Sequence, residues 1–232
     1  MLRHVDWPQA WRIIASRYPP IQLFERLTND QAVWDALIEL EQRTNPRVRD
    51  EIGNIALVAP EDRVTGAGAS YVMASFTHLN PKGSRFSDGS YGVYYAASTL
   101  ETAIAETVFH FEEFARDSND PPRNEDMRVL VGPIQNDFED VSALTAAERD
   151  QILDPASYAA GQAYGRRLHE QGSLGVTYPS VRLTGSLCAG AFKPRAVGLP
   201  LQERHLQYFW DGNRVSRYFD YLKDLWIELA PV

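Results

Sequence analysis

Between residues 91 and 115 the spacing of apolar positions changes from a strand-like run to a helical stripe. YGVYYAA (91–97) is rich in aromatic and β-branched residues, the composition of a strand. From residue 99 onward Leu100, Ala103, Ile104, Val108 and Phe111 recur at helical spacing and predict a helix over about 99–115. Ser98 with Glu101 reads as its capping box. Trp7, Trp11, Ile14 and Tyr18 are also helically spaced, so 7–18 reads as a short amphipathic helix stopped by Pro19-Pro20. IQLFERL (21–27) reads as extended. Thr28 with Gln31 caps a helix over about 30–43, buried through Val33, Trp34, Leu37, Ile38 and Leu40.

Further along, the punctuation is clear. Pro60 and the glycines of RVTGAGAS mark loops, and NPKG is a turn. YVMASFTHL fits strand or helix. MRVLVGPI (127–134) is a strand, Thr145 with Glu148 caps a short helix, and 156–171 is a helix ended by Gly172. LGVTYPSVR, CAGAFKP and AVGLPL read as short strands. Asp211-Gly212 between aromatic runs predicts a tight hairpin. Helices enclosing short, mostly non-alternating strands point to an α+β fold with a twisted central sheet.

Composition narrows the chemistry. The 232-residue chain is 44% hydrophobic and 23% charged, an ordinary globular mix. A net charge of −8 argues against a nucleic-acid backbone as main partner, but not against a local basic pocket for one small anion. A single cysteine, Cys188, allows no internal disulfide and no cysteine-cluster metal site. No signal-like N-terminus and no 18-residue apolar run are present, so a cytoplasmic protein with no membrane partner is expected. Gly66-Ala-Gly68 falls short of a dinucleotide fingerprint, and there is no Walker motif or nucleophile elbow.

The densest chemistry lies in SRFSDGSYGVYYAASTLETAIAETVFH (84–110). Glu106 sits beside the apolar stripe of its helix, where a carboxylate needs a partner or lines a cleft. A boundary ion pair, or an i,i+4 pair with His110, is the plainer alternative. Arg85, in a loop with glycines on both sides, suits a phosphate, or is a surface turn residue. Tyr94 and Tyr95 point to opposite faces of a strand, so one is core and the other free to stack on a ring, unless both are core. Ser180 follows a proline and can orient a carboxylate, or simply end a strand. Cys188 reads as an inert buried thiol.

In this order and spacing, these residues resemble the RES domain family, the toxin half of bacterial RES–Xre toxin–antitoxin pairs. Ser84-Arg85-Phe86 is similar to its G-R-W segment, and Val93-Tyr94-Tyr95-Ala96 to its V-Y-x-(S/A) strand. Ala103 through Glu106 to His110 corresponds to A-x-x-E-x-x-x-H, and Tyr178-Pro179-Ser180-Val181 to its V-P-S-A-like strand. Phe192-Lys193-Pro194-Arg195 stands where the family has F-N-P-R. Phe86 replaces a tryptophan, and Lys193 an asparagine.

The resemblance implies an ADP-ribosyltransferase-like fold and NAD⁺ as substrate, with no other cofactor and no metal. It implies cleavage of the nicotinamide–ribose bond or transfer of ADP-ribose to a protein, with a silent NAD-binding module as the non-enzymatic alternative. Glu106, Arg85, Tyr95 and Ser180 take the catalytic roles. Phe86 serves as an aromatic plate, and the second phosphate-binding arginine maps to Arg26, with Arg63 as rival. An Xre-type helix-turn-helix antitoxin is the implied partner, in a hetero-oligomer. The domain then spans 21–232 with a helical insertion at about 28–62, and 1–20 is an N-terminal extension.

Overall fold

The computed structural model describes residues 1–17 and 53–230. The expected strand at 21–27, the helix at 30–43 and Arg26 lie outside these residues. Among the described residues eight strands form one sheet: β1 (Leu2–Ala15), β2 (Tyr94–Ala97), β3 (Arg123–Asp140), β4 (Gly175–Pro179), β5 (Leu187–Ala191), β6 (Leu201–Trp210), β7 (Val215–Asp220) and β8 (Leu225–Glu228). Four α-helices accompany them: α1 (Ala69–Thr77), α2 (Leu100–Asp117), α3 (Ala146–Ile152) and α4 (Ala159–Glu170). No helix among the described residues is long and apolar enough to cross a membrane. The α+β architecture read from the sequence is the one observed.

The strand order is β1-β2-β5-β4-β3-β6-β7-β8, and β1 also pairs β3. The first five strands in that order therefore close into a circuit. Only β3–β4 is parallel; the other pairings are antiparallel. Within the circuit β2, β4 and β5 are buried on both sides, which is why their sequences do not alternate, while β1 and β3 keep exposed positions. On one face α2 and α4 cover a core that includes Ile104, Phe111, Leu168, Met127, Leu206 and Trp210. On the other face α1 contributes Val72, Met73 and Phe76 to a second core with Val5, Tyr94, Ile134 and Phe138.

The N-terminal stretch corrects the sequence reading. A helix was expected over 7–18 within an extension of residues 1–20; instead Leu2–Ala15 is a strand of the central sheet, paired with β3 from Leu2↔Glu139 to Ala15↔Met127. A bulge between Trp7 and Ala10, at Pro8, shifts the register. Ile13 then enters one core while Val5 and Ala10 enter the other. A strand that feeds two cores carries apolar residues on both faces, and here the mixture imitated a helical stripe.

Other boundaries moved by less. YVMASFTHL is helical, as α1. The α2 cap is Thr99, whose Oγ1 accepts from the Thr102 N–H at 3.2 Å. Ser98, expected as the cap, uses its Oγ to accept from the Leu187 N–H (3.3 Å) and so joins β2 to β5. AVGLPL is not a strand: Pro194–Ala196 form a 3-10 turn, and β6 begins at Leu201. The Thr145–Glu148 capping box and the Asp211-Gly212 hairpin turn are both present, with Gly212 at φ 98°.

Burial raises the hydroxyl pKa of Tyr94, Tyr178 and Tyr208, and pushes Tyr95 up to about 12. Below the ordinary value of 10.0 both states keep these protons, and stability is complete. Above it the unfolded chain releases protons that the fold retains, so stability falls as pH rises through the folded values. Urea midpoints should therefore decline steadily from pH 9.5 to 11; a flat midpoint over that range would contradict the burial of these hydroxyls.

Candidate functional site

A cavity of about 800 Å³ opens between the loop at 80–85, helix α2 and the floor of strands β1 and β2. Glu106, Arg85 and Tyr95 all line it. Ser180 does not, but it reaches the site through Glu106.

Glu106 Oε1 accepts a hydrogen bond from Ser180 Oγ at 2.6 Å. Ser180 Oγ in turn accepts from the backbone N–H groups of Arg182 (3.1 Å) and Leu183 (3.0 Å). A hydroxyl has two lone pairs and one proton. With both lone pairs engaged, its proton is directed at Glu106. Cys188 Sγ lies 3.7 Å from the same Oε1. Burial, then the Glu106 charge, raise the thiol pKa, so Cys188 stays protonated and donates weakly. Both donors converge on Oε1, while Oε2 makes no hydrogen bond to the described residues.

Arg85 is only 7% exposed. Its Nη1 donates to the carbonyls of Ile152 (3.3 Å) and Asp154 (3.0 Å), and its guanidinium lies 4.6 Å over the Tyr158 ring. No carboxylate among the described residues pairs with it. A buried cation held by carbonyls and an aromatic face, on a cavity wall, suits an anion entering that cavity.

Two devices hold the Arg85 loop. The Tyr95 hydroxyl accepts from the Phe86 N–H (3.1 Å) and shares a hydrogen bond with Ser84 Oγ (2.8 Å). On the other side, α4 presents Gly161 and Gly165, one turn apart. A Cβ on Gly161 would lie 2.5 Å from the Arg85 carbonyl oxygen, and one on Gly165 would lie 2.2 Å from that of Phe86. Bare glycine surface is thus what lets the loop backbone rest on the helix. Tyr94, on the opposite face of β2, packs in the second core beneath the Arg12 guanidinium, 4.6 Å from its ring centre.

Three of the proposed binding residues fare differently. Phe86 is not a plate for a ligand: it is fully buried, edge-on to Tyr178 at 4.9 Å. Its backbone serves the site and its ring serves the core. Arg63 does not line the cavity; its Nε donates to the Val58 carbonyl (3.0 Å) and its Nη2 to that of Ile55 (3.4 Å). Arg26 lies outside the described residues. The arginine on the cavity floor is Arg12 of β1, whose Nη1 donates to the Tyr95 carbonyl at 2.9 Å. Its Nε is buried without a hydrogen-bond partner among the described residues, and burial lowers its pKa. The sequence reading missed Arg12 because it assigned its segment to a helix. Tyr158, Tyr178 and Cys188 on the cavity wall were also missed. The Gly161–Gly165 spacing was the available signal for the loop seat.

A half-buried carboxylate held on one oxygen, an arginine with no carboxylate partner among the described residues and a tyrosine-braced loop meet at one cavity of an α+β protein. The family model of the RES domain matches residues 60–211, and the chain belongs to the RES domain family. Uncharacterized protein y4oC of Sinorhizobium fredii (strain NBRC 101917 / NGR234) is 30% identical over 223 residues, covering 96% of this chain and 91% of that protein. Among solved structures, a chain in the crystal structure of the M. tuberculosis MbcT-MbcA toxin-antitoxin complex is similar with a TM-score of 0.44 and 10% identity. That alignment covers 90% of this chain and 87% of the other.

The loop seat yields a test. Gly165→Ala should lower stability by about 1–3 kcal/mol through overpacking against the Phe86 backbone, measured by urea denaturation. Gly172→Ala is a control of another kind, because nothing lies within 4 Å of its added Cβ and only its φ of 76° opposes the change. Gly165→Ala should also weaken binding of an anionic ligand, which Gly172→Ala should leave intact.

Proposed function

We propose that this protein cleaves NAD⁺ at the nicotinamide–ribose bond and acts as a RES-type toxin held in check by an Xre-type antitoxin. The observation that carries the reading is the one-sided loading of Glu106: Oε1 held by Ser180 at 2.6 Å, on a cavity whose other wall presents the unpaired Arg85. Membership of the RES family supports the toxin role and the antitoxin partner.

In this reading the C1′–N bond breaks with its electron pair passing to the pyridinium nitrogen, so nicotinamide leaves neutral. Positive charge develops on the ribose, as in glycoside cleavage. Glu106 Oε2 receives the ribose hydroxyls and faces that charge. Its geometry is set in advance by Ser180, so little reorganisation is needed as the charge appears. Arg85 takes the pyrophosphate through charge-assisted hydrogen bonds, with Arg12 as the second cation on the floor. Tyr95 lines the ribose end and keeps the Arg85 loop in place. Water then adds to C1′, releasing ADP-ribose and one proton.

Purified protein free of antitoxin, incubated with NAD⁺, should release nicotinamide. Glu106→Gln, which keeps shape but loses charge, should lower kcat by about 10²–10³. Ser180→Ala should lower kcat less, with KM nearly unchanged, because it loosens Glu106 without removing it. Expression alone should arrest bacterial growth and deplete NAD⁺, and co-expression of a helix-turn-helix protein encoded beside it should prevent this. Wild type as inactive as Glu106→Gln, with water, phosphate and protein all offered as acceptors, sinks the reading.

A further inference from the structure

The cavity is elongated, and its two ends differ in kind. It runs beside one face of α2, from Ala103 and Glu106 past His110 to Phe114 and Asp117. These positions recur at helical spacing, so they form one ridge. Phe114 lies about 12 Å along the axis from Glu106 at the α-helical rise. That is a span a pyrophosphate joining two riboses can cover.

At the outer end the cations have carboxylate partners, and Glu113 meets the His110 ring at 3.3 Å. Lys82 Nζ meets Asp117 Oδ2 at 3.5 Å, crossing from the loop to the helix, and Arg116 Nη1 meets Glu112 Oε2 at 3.4 Å. Among these charges stands one exposed aromatic ring. Phe114 is 49% exposed, on a helix whose other phenylalanines at 109 and 111 are part-buried or buried. Arg17, itself 3.7 Å from Glu125, lies over its ring at 5.4 Å and restrains it. The inner end has the opposite balance, an unpaired cation at Arg85. An anion is therefore suited to the inner and middle cavity, and a flat neutral group to the outer end.

We propose that Phe114 is the platform on which the adenine base stacks, making the outer end of the cavity a purine subsite. This rests on the NAD⁺ reading above and deepens it. The site then selects a dinucleotide over a mononucleotide: both present the same nicotinamide ribose to Glu106, and only one reaches Phe114. Phe114 touches neither the scissile bond nor the groups that hold Glu106, so its contribution is to binding. Base–aromatic stacking of this kind changes affinity by about 5- to 100-fold.

The test compares wild type, Phe114→Ala and Phe114→Trp with NAD⁺ and with nicotinamide mononucleotide. Phe114→Ala should raise KM for NAD⁺ about tenfold while kcat stays within twofold. Its kinetics with the mononucleotide should match wild type, and Phe114→Trp should restore the KM for NAD⁺. A second measurement needs no turnover: calorimetric titration with ADP-ribose and with ribose 5-phosphate. ADP-ribose should bind Phe114→Ala about tenfold more weakly than wild type, and ribose 5-phosphate equally to both. This separates the two ideas, because a protein that turns over nothing but shows this ADP-ribose difference keeps the purine subsite and loses the reaction. An unchanged KM and unchanged ADP-ribose affinity in Phe114→Ala, or an equal loss for both members of each ligand pair, overturns the subsite.

Discussion

Ser180 has one proton, and the turn that follows β4 decides where it goes. The N–H groups of Arg182 and Leu183 occupy the hydroxyl lone pairs, and Glu106 receives the proton at 2.6 Å. A carboxylate half-buried on a helix is costly to desolvate unless it is hydrogen-bonded. Meeting that cost on Oε1 alone leaves Oε2 available to the cavity. The rest of the site inherits this asymmetry. It requires α2 to lie beside the β4–β5 end of the sheet, which the circuit of strands enforces. It also requires Ser98, at the head of α2, to be tied to Leu187, which its hydrogen bond supplies.

The second wall of the cavity is built on a different principle. Arg85 sits on a loop with little regular structure, so its position comes from what the loop leans on. Tyr95 grips it from the sheet, and two glycines of α4 receive its backbone. Phe86 then anchors the loop by burying its ring against Tyr178. Neighbouring residues thus divide the work: Arg85 is offered to the cavity and Phe86 is spent on the core. The substitution of phenylalanine for tryptophan at position 86 is intelligible on these terms, since what the position supplies here is buried apolar volume.

The two ends of the cavity follow from the same economy of charge. Exposed pairs such as Lys82 with Asp117 contribute little to stability, yet they remove net charge from the outer rim and leave Phe114 as its distinctive surface. Buried Arg85 and Arg12 have no such carboxylate partners among the described residues. The two ends differ in how their cations are held: Arg85 has no carboxylate partner among the described residues, while Lys82 and Arg116 do.

The sequence alone determined what local rules can carry. The helix bearing Glu106, the tyrosine strand before it, the Thr145–Glu148 cap and the Asp-Gly hairpin were legible because a side-chain period or a turn residue marks each within a few positions. The motif order also carried the family, and it named Glu106, Arg85, Tyr95 and Ser180 from spacing. Strand β1 was not legible. Its partner β3 is more than a hundred residues away, and a strand that sends apolar residues to both cores across a bulge carries no period-two signal, so Arg12 was assigned to a helix. Nor was the choice between ring and backbone at Phe86, the seat on Gly161 and Gly165, or the engagement of Arg63 with carbonyls. These depend on which distant atoms come within a few ångströms. That is set by the closure of the sheet and the packing of α4 on the loop, and only the tertiary structure decided it.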